Sequence, residues 1–353
     1  MLSSFVDGRS VHRPIDPNMA ELSMKWVGKT KTYHLRNAHL EEYPWFGTFD
    51  PAIFDQYTLP SATNISFRNN NDASVQSDIL KDHIDQVLQE IKNHKKTYTH
   101  FKILQKKDFN RKSGCGLIVL KYNEYPFVVK LFIETPKSFT NPWGKGFEPI
   151  FFFYMGGGVN RHLSGFTRLK NRSYIESRLL HDTEWAQQVD IPRKWCWIPK
   201  NHTWIDITSK NMGQANTNHI QIPGTYALIC DAIEAQETDS MHTPEGRVLA
   251  VKLCNFLNMQ IDPHIKNFMI EKKTGKLVIV DTEHFPTMVG FKEQKTFSGY
   301  LSWYKELLKK CGKNMLFSTK EDLKQAQASS NESFHALFFS ISDGNPPALQ
   351  HTA

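Results

Sequence analysis

This chain has little of what marks several protein classes. It has five cysteines in 353 residues, Cys115, Cys196, Cys230, Cys254 and Cys311, scattered and without a CxxC pair. An odd, dispersed set argues against a disulfide framework or a thiolate zinc site and fits reduced thiols. No apolar run approaches the ~18–20 residues a membrane span needs, and mean hydropathy is −0.47. Residues 1–17 lack the apolar core of a secretory signal, so the expectation is a soluble, cytoplasmic chain. No HExxH or G-x-S-x-G occurs, which removes the sequence support for zincin or hydrolase chemistry, and no internal repeat is visible. What is present is apolar mass: 40% hydrophobic residues, with 24 Phe and 8 Trp, enough for a large core and too much for a disordered chain. Lys and Arg exceed Asp and Glu by 43 to 36, a mild surplus suited to an anionic ligand such as a nucleotide. Nucleic acid is not implied by it.

Residues 1–70 are rich in Pro, Asn and aromatics and read as an irregular arm with short strands at most. From Asp72 to about His94 the apolar positions Val75, Ile79, Ile84, Val87, Leu88 and Ile91 fall at helical spacing, with Asp72 and Ser74 as candidate caps. Short Val-, Ile- and aromatic-rich runs at 101–104, 116–122 and 126–133, separated by turn residues, predict three antiparallel strands. A helix is expected over Asn171–His181, further strands over 195–198, 203–207 and 226–232, and a helix capped by Thr243-Pro244-Glu245. A short hairpin, 268–270 against 277–280, and a helix over 297–311 follow. The order is that of an α+β protein.

The segment 260–285 carries the most chemistry. Asp262 and Asn267 lie in a Pro-containing loop after a helix, and Asp281 ends the second strand of the hairpin. Antiparallel pairing brings Asn267 and Asp281 to the same open end. Two carboxylates and an amide oxygen in one place suit Mg²⁺, which takes few protein ligands and completes its shell with water and phosphate. Any one of these acids alone would read as a turn cap. Upstream, Lys130 stands in the apolar run Phe127–Phe132, where an ammonium needs either an anion or a route to water.

The D-x-H-x-x-N loop at Asp262–Asn267, followed by a hairpin and Asp281, resembles the catalytic and metal-binding loops of the protein-kinase-like superfamily. It looks closest to atypical members such as phosphoinositide kinases and aminoglycoside or choline phosphotransferases. The resemblance implies a two-lobed kinase-like fold with an antiparallel-sheet small lobe and a reduced helical large lobe. It implies ATP and Mg²⁺ as cofactors, and Asp262 as the residue that orients the acceptor hydroxyl. Asn267 and Asp281 would be the metal ligands, with His264 lining the loop. Lys130 would hold the α/β-phosphates, braced by Glu176 from the helix at 171–181, with Glu184 as the alternative. The turn 110–116 would stand in for the glycine-rich loop through Gly114 and Gly116, and Gly156–Gly158 is a rival phosphate loop. Backbone groups from Ile229 to Ala232, Cys230 among them, would pair with adenine.

On that likeness residues 1–95 form an N-terminal extension with an amphipathic helix. Residues 96–232 form the small lobe with an insertion at 135–170, 233–340 the large lobe, and 341–353 a flexible tail. The sequence departs from the common pattern: Asp281-Thr282-Glu283 replaces Asp-Phe-Gly, Gln260-Ile261 precedes the catalytic Asp, and only 72 residues follow Asp281. Three readings remain open: a phosphotransferase acting on a protein, lipid or small-molecule hydroxyl, a pseudokinase that serves as a nucleotide-binding or regulatory scaffold, and a transferase of the nucleotide itself.

Overall fold

The computed structural model describes residues 19–26, 29–36, 51–134, 157–201, 203–211, 218–236, 240–258 and 260–284. Its elements in chain order are β1 (Met19–Trp26), β2 (Lys29–Arg36), α1 (Pro51–Tyr57), β3 (Asn64–Phe67), β4 (Asn70–Gln76) and α2 (Ser77–Lys92). Then come β5 (Phe101–Asn110), β6 (Cys115–Tyr122), β7 (Phe127–Ile133), α3 (Gly157–Leu180), α4 (Thr183–Gln188), β8 (Val189–Asp190) and β9 (Lys194–Trp197). The remainder is β10 (Trp204–Asn211), β11 (Asn218–Pro223), β12 (Thr225–Asp231), α5 (Pro244–Phe256), β13 (Phe268–Ile270) and β14 (Leu277–Ile279). The protein is therefore a mixed α+β chain built mainly on antiparallel sheets. The expected helix at 297–311, the apolar run at 150–155 and the tail lie outside the described residues.

The central element is a five-stranded antiparallel sheet in the order β5-β6-β7-β12-β9. Its strands alternate in the way a sheet covered on both faces requires. Ile118, Leu120 and Tyr122 of β6, Phe127, Val129 and Leu131 of β7, and Ala227 and Ile229 of β12 join one core with Leu80, Ile84, Val87 and Ile91 of α2. The intervening positions, which include Lys130, Phe132, Tyr226, Leu228 and Cys230, point to the opposite face. There α3 crosses, and it does so at a glycine. A Cβ at Gly165 would sit 2.1 Å from the Tyr226 hydroxyl and 2.6 Å from the Phe132 ring.

The N-terminal residues are more regular than their composition predicts. β1 pairs with β2 and, over Ala20↔Asn211 to Lys25↔Asp206, with β10, in a four-stranded sheet β11-β10-β1-β2. The helix expected from Asp72 begins at Ser77, because β4 pairs with β3 and holds 70–76 extended. Asp72 and Ser74 are thus strand residues rather than caps. Asp78 in the first turn instead accepts from Ala62 N at 2.9 Å. α3 is longer than expected, starting at Gly157 inside the supposed insertion. Its local sequence, with Gly165 and many polar residues, is a poor helix pattern, and burial of Leu169, Ile175 and Leu179 against the rest of the protein stabilises it. α5 begins as its sequence dictates, with Thr243 Oγ1 accepting from Gly246 N at 3.1 Å and Pro in the first turn.

A second core joins Ile175 and Leu179 of α3, Val251 and Leu253 of α5, Ile261, and Phe268, Leu277 and Ile279 of the β13–β14 hairpin. Gly275, at φ +67°, supplies the left-handed residue that closes this hairpin. β14 also runs parallel to β8. Arg68, in the β3–β4 turn, fastens the N-terminal segment to this half: its Nε meets Glu271 at 3.1 Å and its Nη2 meets Asp190 at 2.5 Å. No helix among the described residues is long and apolar enough to cross a membrane.

Candidate functional site

The β13–β14 register sets Phe268 opposite Ile279, and Val280 N donates to Asn267 O at 2.9 Å. The hairpin therefore presents Asn267 and Asp281 at its open end. Lys130, 151 residues earlier in sequence, reaches across from the middle of β7, and its Nζ lies 2.7 Å from Asp281 Oδ2. The sheet and the hairpin loop thus meet at one cluster of charge.

Arg168 of α3 completes the cage around Asp281. Its Nε donates to Asp281 Oδ1 at 2.7 Å and its Nη2 to Glu283 Oε2 at 2.9 Å. Burial raises the cost of ionising Asp281, but Arg168, Lys130 and Lys194 outweigh it and hold the carboxyl well below the usual range. Burial works against the Arg168 charge too, and Asp281 and Glu283 more than restore it.

Lys194, at the start of β9, is the third basic side chain on this face of the sheet. It is buried and donates to Thr282 Oγ1, which in turn donates to Arg168 O at 2.7 Å. Burial lowers its pKa to about 7; a nearby Cys230 thiol opposes this, and Lys130 adds to it. One turn beyond Arg168 on α3, Asn171 Nδ2 donates to Gln260 O at 2.9 Å and Thr282 O at 3.0 Å, tying the segments on either side of the β13–β14 hairpin to one helix. Beside them His284 Nε2 and Gln260 Oε1 are 2.7 Å apart, and burial, with Lys170 adding, depresses the His284 pKa to about 3.

The loop before β13 is self-bracing. Asp262 Oδ1 accepts from His264 N at 3.0 Å, Asn267 Nδ2 donates to Asp262 O at 3.1 Å, and His264 Nδ1 accepts from Lys266 N at 3.2 Å. Burial raises the Asp262 pKa to about 7, the His264 N–H opposes it, and Glu283 and Asp281 add to the rise. Asp262 is poised to take or give a proton near neutrality.

Two expected site residues sit differently. Glu176 does not brace Lys130: it pairs with Arg172 at 2.5 Å on the outer side of α3 and is 38% exposed. The helix puts Arg168, not Glu176, at the level of Lys130, so Lys130 finds Asp281 as its anion. Cys230 does not offer free backbone groups to an adenine. β12 is a central strand, paired to β7 at Cys230↔Val128 and to β9 at Cys230↔Lys194. Asp231 N and Ala232 N are likewise spent on Arg193 O and Pro126 O. Glu184, the alternative brace, lies in the first turn of α4 and meets Gln188.

Gly114 and Gly116 lie at the β5–β6 turn with φ of +62° and +111°. Gly116 is opposite Ile133, three rungs from Val119, the partner of Lys130, or ~10 Å along the strand. Gly157 and Gly158 open α3, and Gly156 lies outside the described residues. Arg168 and Lys194 were not found by sequence reasoning. Lys194 carries the same signal as Lys130, an ammonium beside an apolar strand, here Trp195-Cys196-Trp197. Arg168 carried none, since the helix that positions it is not patterned as one.

Comparison with protein-family models, with curated proteins and with solved structures finds no match to this chain.

Proposed function

We propose that the chain is an atypical kinase, an ATP- and Mg²⁺-dependent phosphotransferase with a kinase-like two-lobed fold, acting on a hydroxyl acceptor. The carrying observation is the 2.7 Å contact between Lys130 in the third strand of the five-stranded sheet and Asp281 after the β13–β14 hairpin. It supports the pairing of a phosphate-binding lysine with a metal-binding aspartate. The order of elements supports the same reading: β7 is followed by α3, and β12 leads out of the sheet toward α5 and the Asp262 loop. The donor set fits a nucleotide and its metal, with hard oxygens at Asp281, Asn267 and Glu283 beside the two cations Lys130 and Arg168 for phosphate. Mg²⁺, when bound, neutralises phosphate charge and orients the transferred group.

The chain's own residues have distinct tasks. Lys130 and Arg168, which pair with Asp281, would donate to phosphate oxygens, and Asp281 with Asn267 would hold the metal. Lys194 fixes Thr282 and thereby the direction of Asp281. Asp262, with a pKa of about 7, accepts the acceptor hydroxyl's proton. Asn171 keeps the segments on either side of the β13–β14 hairpin in register.

A scaffold that binds nucleotide without turnover is the second reading, and one observation favours it. Both oxygens of Asp281 are engaged by cations, Arg168 among them, where a metal would have to enter. Thermal-shift titration of ATP with and without Mg²⁺, followed by ATP turnover, separates the readings. Phosphotransfer predicts a Mg²⁺-enhanced shift and turnover that Asp281→Ala abolishes. A shift without turnover supports the scaffold, and no shift in either condition refutes both.

A further inference from the structure

Far from this cluster, beyond the opposite face of the sheet, the fold assembles three side chains that sequence spacing does not connect. His83 comes from α2, His100 from the residue before β5, and Glu124 from the β6–β7 turn. One ligand atom from each lies within 4.8 Å of the others. His100 Nδ1 and Glu124 Oε1 are 3.1 Å apart. The His83 and His100 rings stack at 3.6 Å between centroids, with 4° between planes. His83 Nδ1 is shielded from solvent and has no hydrogen-bond partner.

The surroundings hold the three in place. Glu90, two turns after His83 on α2, accepts from Thr99 N at 3.1 Å and from Lys95 Nζ at 3.1 Å, clamping the segment that ends at His100. Asn123 N donates to His100 O at 3.0 Å and Asn123 Nδ2 to Thr99 O at 3.2 Å, which places Glu124 beside the same segment. Tyr122 and Tyr125 wall the site, each with its ring centroid 6.1 Å from that of His83.

We propose that His83, His100 and Glu124 form a binding site for a borderline first-row divalent cation, zinc being the natural probe, that staples α2 to the sheet. Two imidazoles and one carboxylate are the donor set such ions select, with water in the remaining position. Stacked imidazoles cannot both carry protons at low cost, whereas a metal takes both as neutral donors. An orphaned, shielded ring nitrogen costs stability unless it meets a ligand. The rings stack with only 4° between their planes, so binding requires one imidazole to swing about its Cβ–Cγ bond, which breaks the stacking and lets the two in-plane lone pairs converge. Bound metal would join elements of the N-terminal segment and the sheet, so its signature is stability rather than turnover.

The test uses the full chain stripped with chelator, titrated with zinc chloride by calorimetry and thermal shift, and with Co²⁺ by visible absorption. The expected result is one ion per chain, a Tm rise of at least ~3 °C at saturation, and Co²⁺ bands without sulfur charge transfer. His83→Gln and His100→Gln should each weaken binding by at least ~10-fold and Glu124→Gln by a smaller factor. Each variant is compared with and without zinc, and the zinc-dependent rise in Tm should be reduced in all three, whatever its Tm in chelator. Nucleotide binding should be unchanged in all three, which keeps this test separate from that of the charged cluster. Failure of zinc to bind, binding unaffected by these substitutions, or a cysteine charge-transfer band overturns the proposal.

Discussion

Replacing Asp281 by Asn tests the charged cluster most directly. The carboxylate takes Lys130 Nζ at 2.7 Å, Arg168 Nε at 2.7 Å and Arg168 Nη2 at 3.4 Å. The side chains of Lys130 and Arg168 are 14% and 6% exposed and that of Asp281 19%, so solvent screens little of the pairing. Removing one partner of a buried pair costs ~3–5 kcal/mol, since the other charge is left desolvated and uncompensated. Here Arg168 keeps Glu283, and the Asn oxygen still accepts one hydrogen bond, so the lower end, ~3 kcal/mol, is expected. For a chain of this length that corresponds to a Tm loss of ~4 °C.

Guanidinium unfolding followed by the fluorescence of the eight tryptophans reads the loss. The cycle with Lys130→Met should return a coupling of ~1–3 kcal/mol, as for residues in one network. The pH dependence has a definite sign. Asp281 is depressed in the folded state, so its stabilisation is present above the unfolded pKa of ~3.9 and is lost as pH falls below it. Wild type and Asp281→Asn should therefore converge in strong acid. A loss below ~1 kcal/mol at neutral pH, or zero coupling to Lys130, would refute the ionic cage.

Gly165→Ala should destabilise the protein by ~2 kcal/mol or more despite Ala's better helix propensity, because its Cβ meets the stacked rings of Phe132 and Tyr226. Denaturant midpoints would show this, and an unchanged or raised midpoint would mean that α3 does not cross the sheet there. Asp262 has the reverse pH behaviour to Asp281. Its folded pKa, about 7, lies above its unfolded value, so its contribution is full below ~4 and is lost as pH rises through 7. Tm against pH should fall across that window in wild type and be flatter in Asp262→Asn; identical slopes would dismiss the buried carboxyl.

How much of this was legible in sequence depends on whether a residue's environment is local. Asp262, Asn267 and Asp281 are set by a hairpin and its flanking loop, within about one short motif, and their arrangement followed from antiparallel pairing. Lys130 announced itself by being an ammonium in an apolar strand. Arg168 depends on the part of α3 that precedes the helix expected from Asn171, where the pattern is weak and packing supplies the stability, so local propensity gave no warning. Glu176 has a good helical context but the wrong rotation: α3 presents Arg168 and Asn171 inward, and Glu176 is left to an i,i+4 pair with Arg172. Cys230 failed for another reason, since a strand's position in the sheet, central or edge, is invisible until its neighbours are known. The same holds for β1, one of whose two partners, β10, lies far along the chain.

That long-range pairing has a consequence for how the protein is made. β1 is complete once Trp26 has been synthesised, yet one of its two neighbours, β10, ends at Asn211. At ~5–20 residues per second, a ribosome needs on the order of 10–40 s to supply it. During that interval the β1–β2 hairpin has an open edge, available to other nascent chains. Fragments that stop before Trp204 would keep that edge exposed permanently, and their yield in soluble form would depend on chaperone supply rather than on the strength of the core they already contain.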